Sequence, residues 1–403
     1  MSLFHPANEF MGLKSDYFMN IAMFSDTYAP QVNGVVTMIK MLEENLQKRG
    51  HNVYIFTVDH PKATSQENVY RVPSLRFPWE KQHRIGLPTN YRELIQIISN
   101  LKIDLIHSHT SIIVGYLANL VTSKLGLPGV TTYHTMMEEY VHYIPFMEPI
   151  LRVYIRKQDK RFCDRNRAVI APSIKIKKLL ETYGVTSHIE VIPNGVDLTP
   201  FKREISEEER RNFRNRYNIG EEDPVMIFVG RMGGEKSIDK LIENFARVNG
   251  EIPNSHLLLV GDGPLRTQLK ELSVALGVGR NLHFTGFLKW PTEISLAYKS
   301  SDLFIIASHT ETFGLVTLEA MASGLPVVAY KDDSIANMVF DGDNGFMCPS
   351  KDNLYKAIIE VLRDDSMRKR MSERSREISL DFSAEANTEK TLDLYGRVLR
   401  NEV

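Results

Sequence analysis

Short apolar runs alternate along this chain with longer stretches in which apolar positions return every three or four residues, the pattern of buried strands joined by amphipathic helices. The first run, at 20–24, precedes a helical period over 37–49 that Gly50 closes, and a second run follows at 52–57. Further strands are predicted at 104–107, 129–133, 168–171 and 188–192, separated by helix-like or loop segments. Beyond Pro193-Asn194-Gly195-Val196-Asp197 a charged helix is predicted over 206–217, and the alternation restarts with strands at 225–230, 257–261, 281–284, 303–306 and 326–330. Strands alternating with helices imply parallel sheets of the doubly wound class. A chain of 403 residues also exceeds what one core usually supports. The expectation is an α/β protein of two Rossmann-like domains facing one another across a cleft, because ligands of open parallel sheets sit at the carboxyl ends of strands. An N-terminal extension is assigned to 1–18 and the two domains to 19–197 and 198–382. The last segment, 383–403, carries a helix over 384–399 that is expected to cross back to the first domain.

Composition narrows the function classes. An apolar share of 43% with 25% charged residues is ordinary for a globular protein, and a net charge of -1 argues against a general nucleic-acid binder. The two cysteines, Cys163 and Cys348, supply neither a disulfide framework nor a cysteine zinc site, which fits a reducing cytoplasm. No run is long and apolar enough to span a bilayer, and no signal peptide is visible. Charge is not even: before and including Pro200 there are 22 basic and 18 acidic residues, after it 27 and 32. Much of the basic excess lies in Arg152, Arg156, Lys157, Lys160, Arg161, Arg165 and Arg167, interleaved with Leu151, Val153, Tyr154, Ile155 and Phe162. Such a segment can lie as an amphipathic helix on an anionic membrane, although most charge runs are only solvated.

The candidate chemistry sits at predicted strand ends. Glu311 and Glu319 bracket a stretch in which Gly314 opens a helix directly after the strand at 303–306. A helix N-terminus offers unpaired N–H groups and partial positive charge to a phosphate, and a glutamate one to two turns in can accept hydrogen bonds from a ribose diol. Gly230-Arg231-Met232-Gly233-Gly234-Glu235-Lys236 follows another strand and supplies a forked guanidinium and a mobile ammonium, suited to a diphosphate whose charge grows as its bond to a sugar breaks. Gly261 and Gly263 end a further strand, where a bare backbone lets a nucleotide lie close, and Gly34 brings a bare N–H to the first strand-to-helix loop. His134 ends the strand at 129–133.

Three apparent metal motifs have plainer readings. His134, Glu138 and His142 share helical spacing but follow a strand end, where they would not keep one face. His107 and His109 alternate along a strand end and are read as pointing to opposite faces. Asp341-Gly342-Asp343 resembles the carboxylate pair that holds a cation on a diphosphate, but turn chemistry explains it ahead of Asn344-Gly345.

Taken together these motifs resemble the group 1 retaining glycosyltransferases of GT-B fold, over nearly the whole chain from Met19. The resemblance implies that Arg231 and Lys236 hold the diphosphate of a nucleotide sugar, assisted by Gly34, Gly261, Gly263 and the backbone of Phe313, Gly314, Leu315 and Val316. It further implies that Glu319 binds the ribose, Glu311 the sugar hydroxyls, and that His134 lies beside the reacting sugar; the catalytic set is His134, Arg231, Lys236 and Glu311. No metal or other cofactor is implied. The segments 24–35 and 132–144 are similar to bacterial glucosyltransferases acting on diacylglycerol, which use UDP-glucose and attach to membranes through a basic N-terminal domain. A cytoplasmic protein, peripheral on the inner face of the membrane, is the corresponding expectation, with transfer to a soluble acceptor or nucleotide-sugar epimerisation as rival readings. Gly233-Gly234 departs from the bulkier residues common in the diphosphate turn.

Overall fold

The computed structural model describes residues 18–31, 33–76, 84–87, 89, 91–134, 148–308 and 314–403. By contacts the chain divides into two compact units, the first holding 1–171, 179–192 and 387–403, the second 172–178 and 193–386. The strands of the first unit are β1 (Asn20–Ser25), β2 (Asn52–Val58), β3 (Val69–Val72), β4 (Ser74–Arg76), β5 (Arg84–Gly86), β6 (Leu105–Ser108), β7 (Gly129–Thr132), β8 (Ala168–Ala171) and β9 (His188–Val191). Seven of them form one parallel sheet in the order β3-β2-β1-β6-β7-β8-β9, while β4 and β5 pair antiparallel beside it. The second unit carries β10 (Val225–Val229), β11 (His256–Val260), β12 (Leu282–Gly286), β13 (Leu303–Ile306), β14 (Val327–Tyr330) and β15 (Gly345–Cys348). Their order is β12-β11-β10-β13-β14-β15, again all parallel.

Each sheet is covered on both faces, which is why its central strands read as unbroken apolar runs rather than as alternation. In β1, Ile21 and Met23 pack with Met38, Ile39, Leu42 and Leu46 of the helix Gly34–Lys48. Ala22 and Phe24 point the other way, onto Leu94 and Ile98 of one helix and Val114 and Leu117 of the next. The second unit builds a single core around Met226, Phe228, Leu258, Phe304 and Val328. The last helix, Ala384–Leu399, sends Leu394, Tyr395 and Val398 into the core of the first unit.

Edge strands escape the pattern. β3, Val-Tyr-Arg-Val, is half-buried and interrupted by an arginine, and β15 begins on Gly345, where any Cβ would stand 2.0 Å from the Val327 carbonyl oxygen. The charged helix runs over Glu207–Asn215, with Ser206 closing a capping box with Glu209, so its start is set one residue later than the hydrophobic period alone suggests.

Candidate active site

In the second unit the chain builds outward from β10 to β11 and β12, then returns to the other side of β10 for β13, β14 and β15. The carboxyl ends of β10 and β13 therefore flank a topological switch point, where neighbouring loops leave in opposite directions and open a crevice. The sequence places its densest candidate chemistry there. From β10 leaves the turn Gly230 to Lys236, anchored by the fully buried Met232 and ending in a short 3-10 turn at Gly234–Lys236. Ser308, two residues past β13, donates its hydroxyl to the Glu235 carbonyl at 3.4 Å, tying the chain just beyond β13 to the turn that carries both cations. Arg231 is exposed and Lys236 half-buried.

Gly261 and Gly263 have a structural reason of their own. Gly261 sits at φ +123°, and a Cβ there would lie 2.1 Å from the Gly230 carbonyl oxygen; at Gly263 it would lie 2.6 Å from the Met232 oxygen and 2.7 Å from its nitrogen. The β10 and β11 loops are thus pressed together backbone to backbone, and Met232 N–H donates to the Asp262 carbonyl at 2.9 Å. At these two positions the protein's own main chain already requires glycine. Gly263→Ala is expected to push the cation-bearing turn outward and to cost about 1–3 kcal/mol of stability as an overpacked contact, read by urea denaturation. Gly233 is likewise covered, by the Glu235 carboxylate folded back over it, whereas Gly234 stands in open space.

Gly314 opens the helix Leu315–Ala322 in the left-handed region, φ 73°, with Ile335 Cγ2 only 2.7 Å from where a Cβ would stand. Gly314 has no side chain with which to cap this helix, and Leu315 and Val316 carry its first-turn N–H groups. Thr317, next in the turn, keeps a buried hydroxyl with no partner among the described residues. Glu319 follows within the helix, and two residues the sequence reading missed hold its carboxylate. The buried Tyr298 hydroxyl lies 3.2 Å from Glu319 Oε2 and 3.2 Å from the Val316 carbonyl oxygen, and Trp290 Nε1–H donates to Glu319 Oε1 at 3.4 Å. Burial pushes the Glu319 carboxyl up to about 7, against these two donors, which favour the anion. Both partners come from the region before β13, so only the folded sheet brings them to Glu319. Glu311 and Phe313 lie outside the described residues, as do Glu138 and His142.

The first unit has its own switch point, between β1 and β6. Asn33 caps the helix Gly34–Lys48 by accepting Val36 N–H, and its amide donates to Thr27 Oγ1 at 2.8 Å, which fixes the loop around Gly34. A Cβ on Gly34 would meet nothing within 4 Å. Asp26, past the end of β1, accepts from Thr110 Oγ1 at 2.6 Å and from Val114 N–H at 2.9 Å, so a buried carboxyl, raised by desolvation, closes the N-terminus of the helix Ile113–Leu125. His134 stands just past β7, with Nε2 at 3.2 Å from His109 Nδ1. His107 and His109 do not diverge: residues two apart along a strand share a face, so the opposite-face reading fails, and the two rings lie 4.0 Å apart. Asp341 and Asp343 are used internally, one accepting Met347 N–H at 2.6 Å and the other held by both arms of Arg374.

Solved glycosyltransferases share this architecture. HepE of Anabaena, solved with UDP, superposes with a TM-score of 0.72 at 19% identity over 94% of this chain and 100% of its own. Sucrose-phosphate synthase of Thermosynechococcus elongatus gives 0.70 at 22% identity, over 95% and 100%. Alpha-monoglucosyldiacylglycerol synthase of Streptococcus pneumoniae is 34% identical over 90% of this chain and 83% of its own length. The enzyme of the same name from Acholeplasma laidlawii is 29% identical over 94% and 96%. Residues 32–200 match the profile of glycosyltransferase family 4 and residues 209–378 that of glycosyl transferases group 1. With its two parallel sheets and this kinship, the chain is a GT-B enzyme belonging to the group 1 glycosyltransferases.

Proposed function

We propose that this glycosyltransferase moves a hexose, glucose by preference, from a UDP-sugar to a diacylglycerol-type lipid, with retention at the anomeric carbon and without a metal ion. The observation that supports the reading is the switch point of the second unit, where the turn carrying Arg231 and Lys236 leaves β10 and the helix that opens at Gly314 and holds the buried carboxyl of Glu319 follows β13. Fixed cations and N–H dipoles can take up the negative charge that develops on a departing diphosphate, the task a metal performs elsewhere. Glu319, held by Tyr298 and Trp290, can accept from the two ribose hydroxyls. The name shared by the relatives from Streptococcus pneumoniae and Acholeplasma laidlawii supports glucose and a diacylglycerol lipid, and the UDP bound to HepE supports the base.

A lipid acceptor needs contact with a membrane, and no described helix is long and apolar enough to cross one. The helix Glu148–Cys163 offers another means. Ile150, Val153 and Tyr154 are exposed at 69%, 52% and 58%, and exposed Lys157 and Arg161 continue the same face at helical spacing. This face is suited to lie on anionic lipid, apolar side chains inserted and cations at the headgroups. Replacing Ile150 and Val153 together by Asp is expected to lower affinity for phosphatidylglycerol vesicles by about tenfold or more, from lost apolar burial and added like charge, in a sedimentation assay.

The substrate assignment is tested by pairing UDP-, GDP- and ADP-sugars with lipid and water-soluble acceptors, with mass spectrometry of the products. Glucosyl-diacylglycerol formed from UDP-glucose, undiminished by EDTA, is the expected outcome. A sugar altered but still carrying its nucleotide would mark an epimerase, and transfer to soluble acceptors alone would replace the lipid.

A further inference from the structure

Buried His107 and His109 link the buried Tyr395 to the half-buried His134 in the first unit. Tyr395, on the last helix, sets its hydroxyl 2.5 Å from His107 Nδ1, and Thr132 Oγ1 lies 2.8 Å from His107 Nε2, so both nitrogens of His107 are engaged. His109 packs against that immobilised ring at 4.0 Å and reaches His134 Nε2 through its own Nδ1 at 3.2 Å. Its remaining nitrogen, Nε2, is buried with no partner among the described residues. Burial holds all three imidazoles far below the ordinary histidine range, His107 at about 3 and His134 at about 4, so each is neutral near pH 7.

A single proton is shared in the His109–His134 link, and two arrangements are possible. If His134 Nε2–H donates, His109 must carry its own proton on Nε2, as a buried donor with nothing among the described residues to receive it. If His109 Nδ1–H donates, the unpaired atom is a bare acceptor nitrogen, the less rare defect in folded proteins. We infer that His109 is a positioning residue: it donates from Nδ1, occupies the lone pair of His134 Nε2, and so fixes His134 as the tautomer with its proton on Nδ1. His134 then meets substrate as a neutral hydrogen-bond donor aimed by the His107–Tyr395 backing, and it has no free lone pair with which to deprotonate an acceptor hydroxyl. This inference rests on the placement of His134 beside the reacting sugar only for its catalytic consequence; the tautomer itself is a property of the protein alone.

Two-bond ¹H–¹⁵N spectra of histidine-labelled protein, with His134 assigned by substitution, read the tautomer without substrate. Protonated Nδ1 and bare Nε2 on His134 are expected, changing in the His109→Leu protein; the reverse pattern in the unsubstituted protein would overturn the inference. Kinetics supply the second arm, with UDP-glucose and dioleoylglycerol in mixed micelles. Asn places an amide where Nδ1 stands and Gln where Nε2 stands, so His109→Asn should retain most of kcat. His109→Gln and His109→Leu should each lose about tenfold, the rate equivalent of one hydrogen bond, with the donor KM little changed. In a His134→Ala background the His109→Leu change should add nothing. Equal losses in all three His109 variants tracking their melting temperatures would reduce His109 to a packing residue and overturn the inference. If His134→Ala itself keeps the full rate, the assignment of His134 to the sugar fails instead, while the spectra still decide the tautomer.

Discussion

Arg231→Ala is expected to lower kcat by about a hundredfold to a thousandfold, the loss of one preorganised donor on a developing anion, roughly 3–4 kcal/mol of barrier. Its fold should be intact, because the Arg231 side chain is exposed and the turn is held instead by buried Met232, the Met232–Asp262 backbone bond and the Ser308–Glu235 contact. Lys236→Ala should cost a similar factor. The two cations serve one leaving group, so the double variant should lose less than the product of the single factors. Arg231→Lys separates charge from shape: an ammonium restores the charge but not the two-pronged geometry, and a partial recovery is expected. Steady-state transfer and single-turnover sugar release, both with the donor saturating, distinguish a slower chemical step from weaker binding. Full transfer rates in both alanine variants would remove the diphosphate from this turn and leave the switch point without a charge to stabilise.

The architecture was legible because its central strands are buried on both faces and written in β-branched and aromatic runs, as in Val225-Met226-Ile227-Phe228-Val229. The strands at 168–171 and 303–306 and the helix at 384–399 fall where the sequence puts them, since burial at one element leaves little freedom in its ends. What the pattern could not carry is the pairing order. The switch point exists only because β13 returns beside β10, a long-range choice that no local period encodes. The same holds for edge strands such as β3, where half-burial dilutes the signal.

The site was legible where chemistry is written in consecutive residues and hidden where it is assembled. Gly314 was read as a helix mouth from local sequence, and its positive φ and contact with Ile335 give the physical reason for glycine there. Gly261 and Gly263 were located by the same logic, yet the atoms crowding them are those of Gly230 and Met232. Tyr298 and Trp290 carried no motif, because what singles them out is a carboxylate met across the fold. A buried tyrosine shortly before an apolar strand was the only available signal, and it reads equally as core. The His107–His109 pair obeys the strand period rather than breaking it: residues two apart share a face, as Ile21 and Met23 do in β1, so the two rings meet.

Glu319→Gln should make the protein more stable and less able to bind its donor, with the first effect governed by pH. The Glu319 carboxyl titrates at about 7 in the folded protein against an ordinary value of 4.5, so the folded state holds the proton more tightly than the unfolded chain. Below pH 4.5 both states are protonated and burial costs no charge. Between the two values the unfolded chain ionises first, so stability falls as pH rises, and above 7 the loss is complete at about 3 kcal/mol. Gln carries no charge and can satisfy the same partners: its oxygen accepts from Trp290, and its amide donates to Tyr298, whose own proton turns to the Val316 carbonyl. Urea denaturation should therefore show the variant ahead of the parent by about 3 kcal/mol at pH 8 and by less than about 1 kcal/mol at pH 5. Donor binding should move the opposite way. Loss of charged hydrogen bonds to two ribose hydroxyls is expected to raise the donor KM by about a hundredfold at pH 8. In the parent, donor affinity should decline as pH falls below 7, because the ribose must compete with a proton for the carboxylate; in the variant that dependence should vanish. A glutamate kept only for packing would show the same gain in stability at high pH but no loss of donor affinity. A Gln variant with an unchanged donor KM would therefore mean that Glu319 does not serve the nucleotide, and one less stable than the parent at pH 8 would mean that burial does not raise its carboxyl.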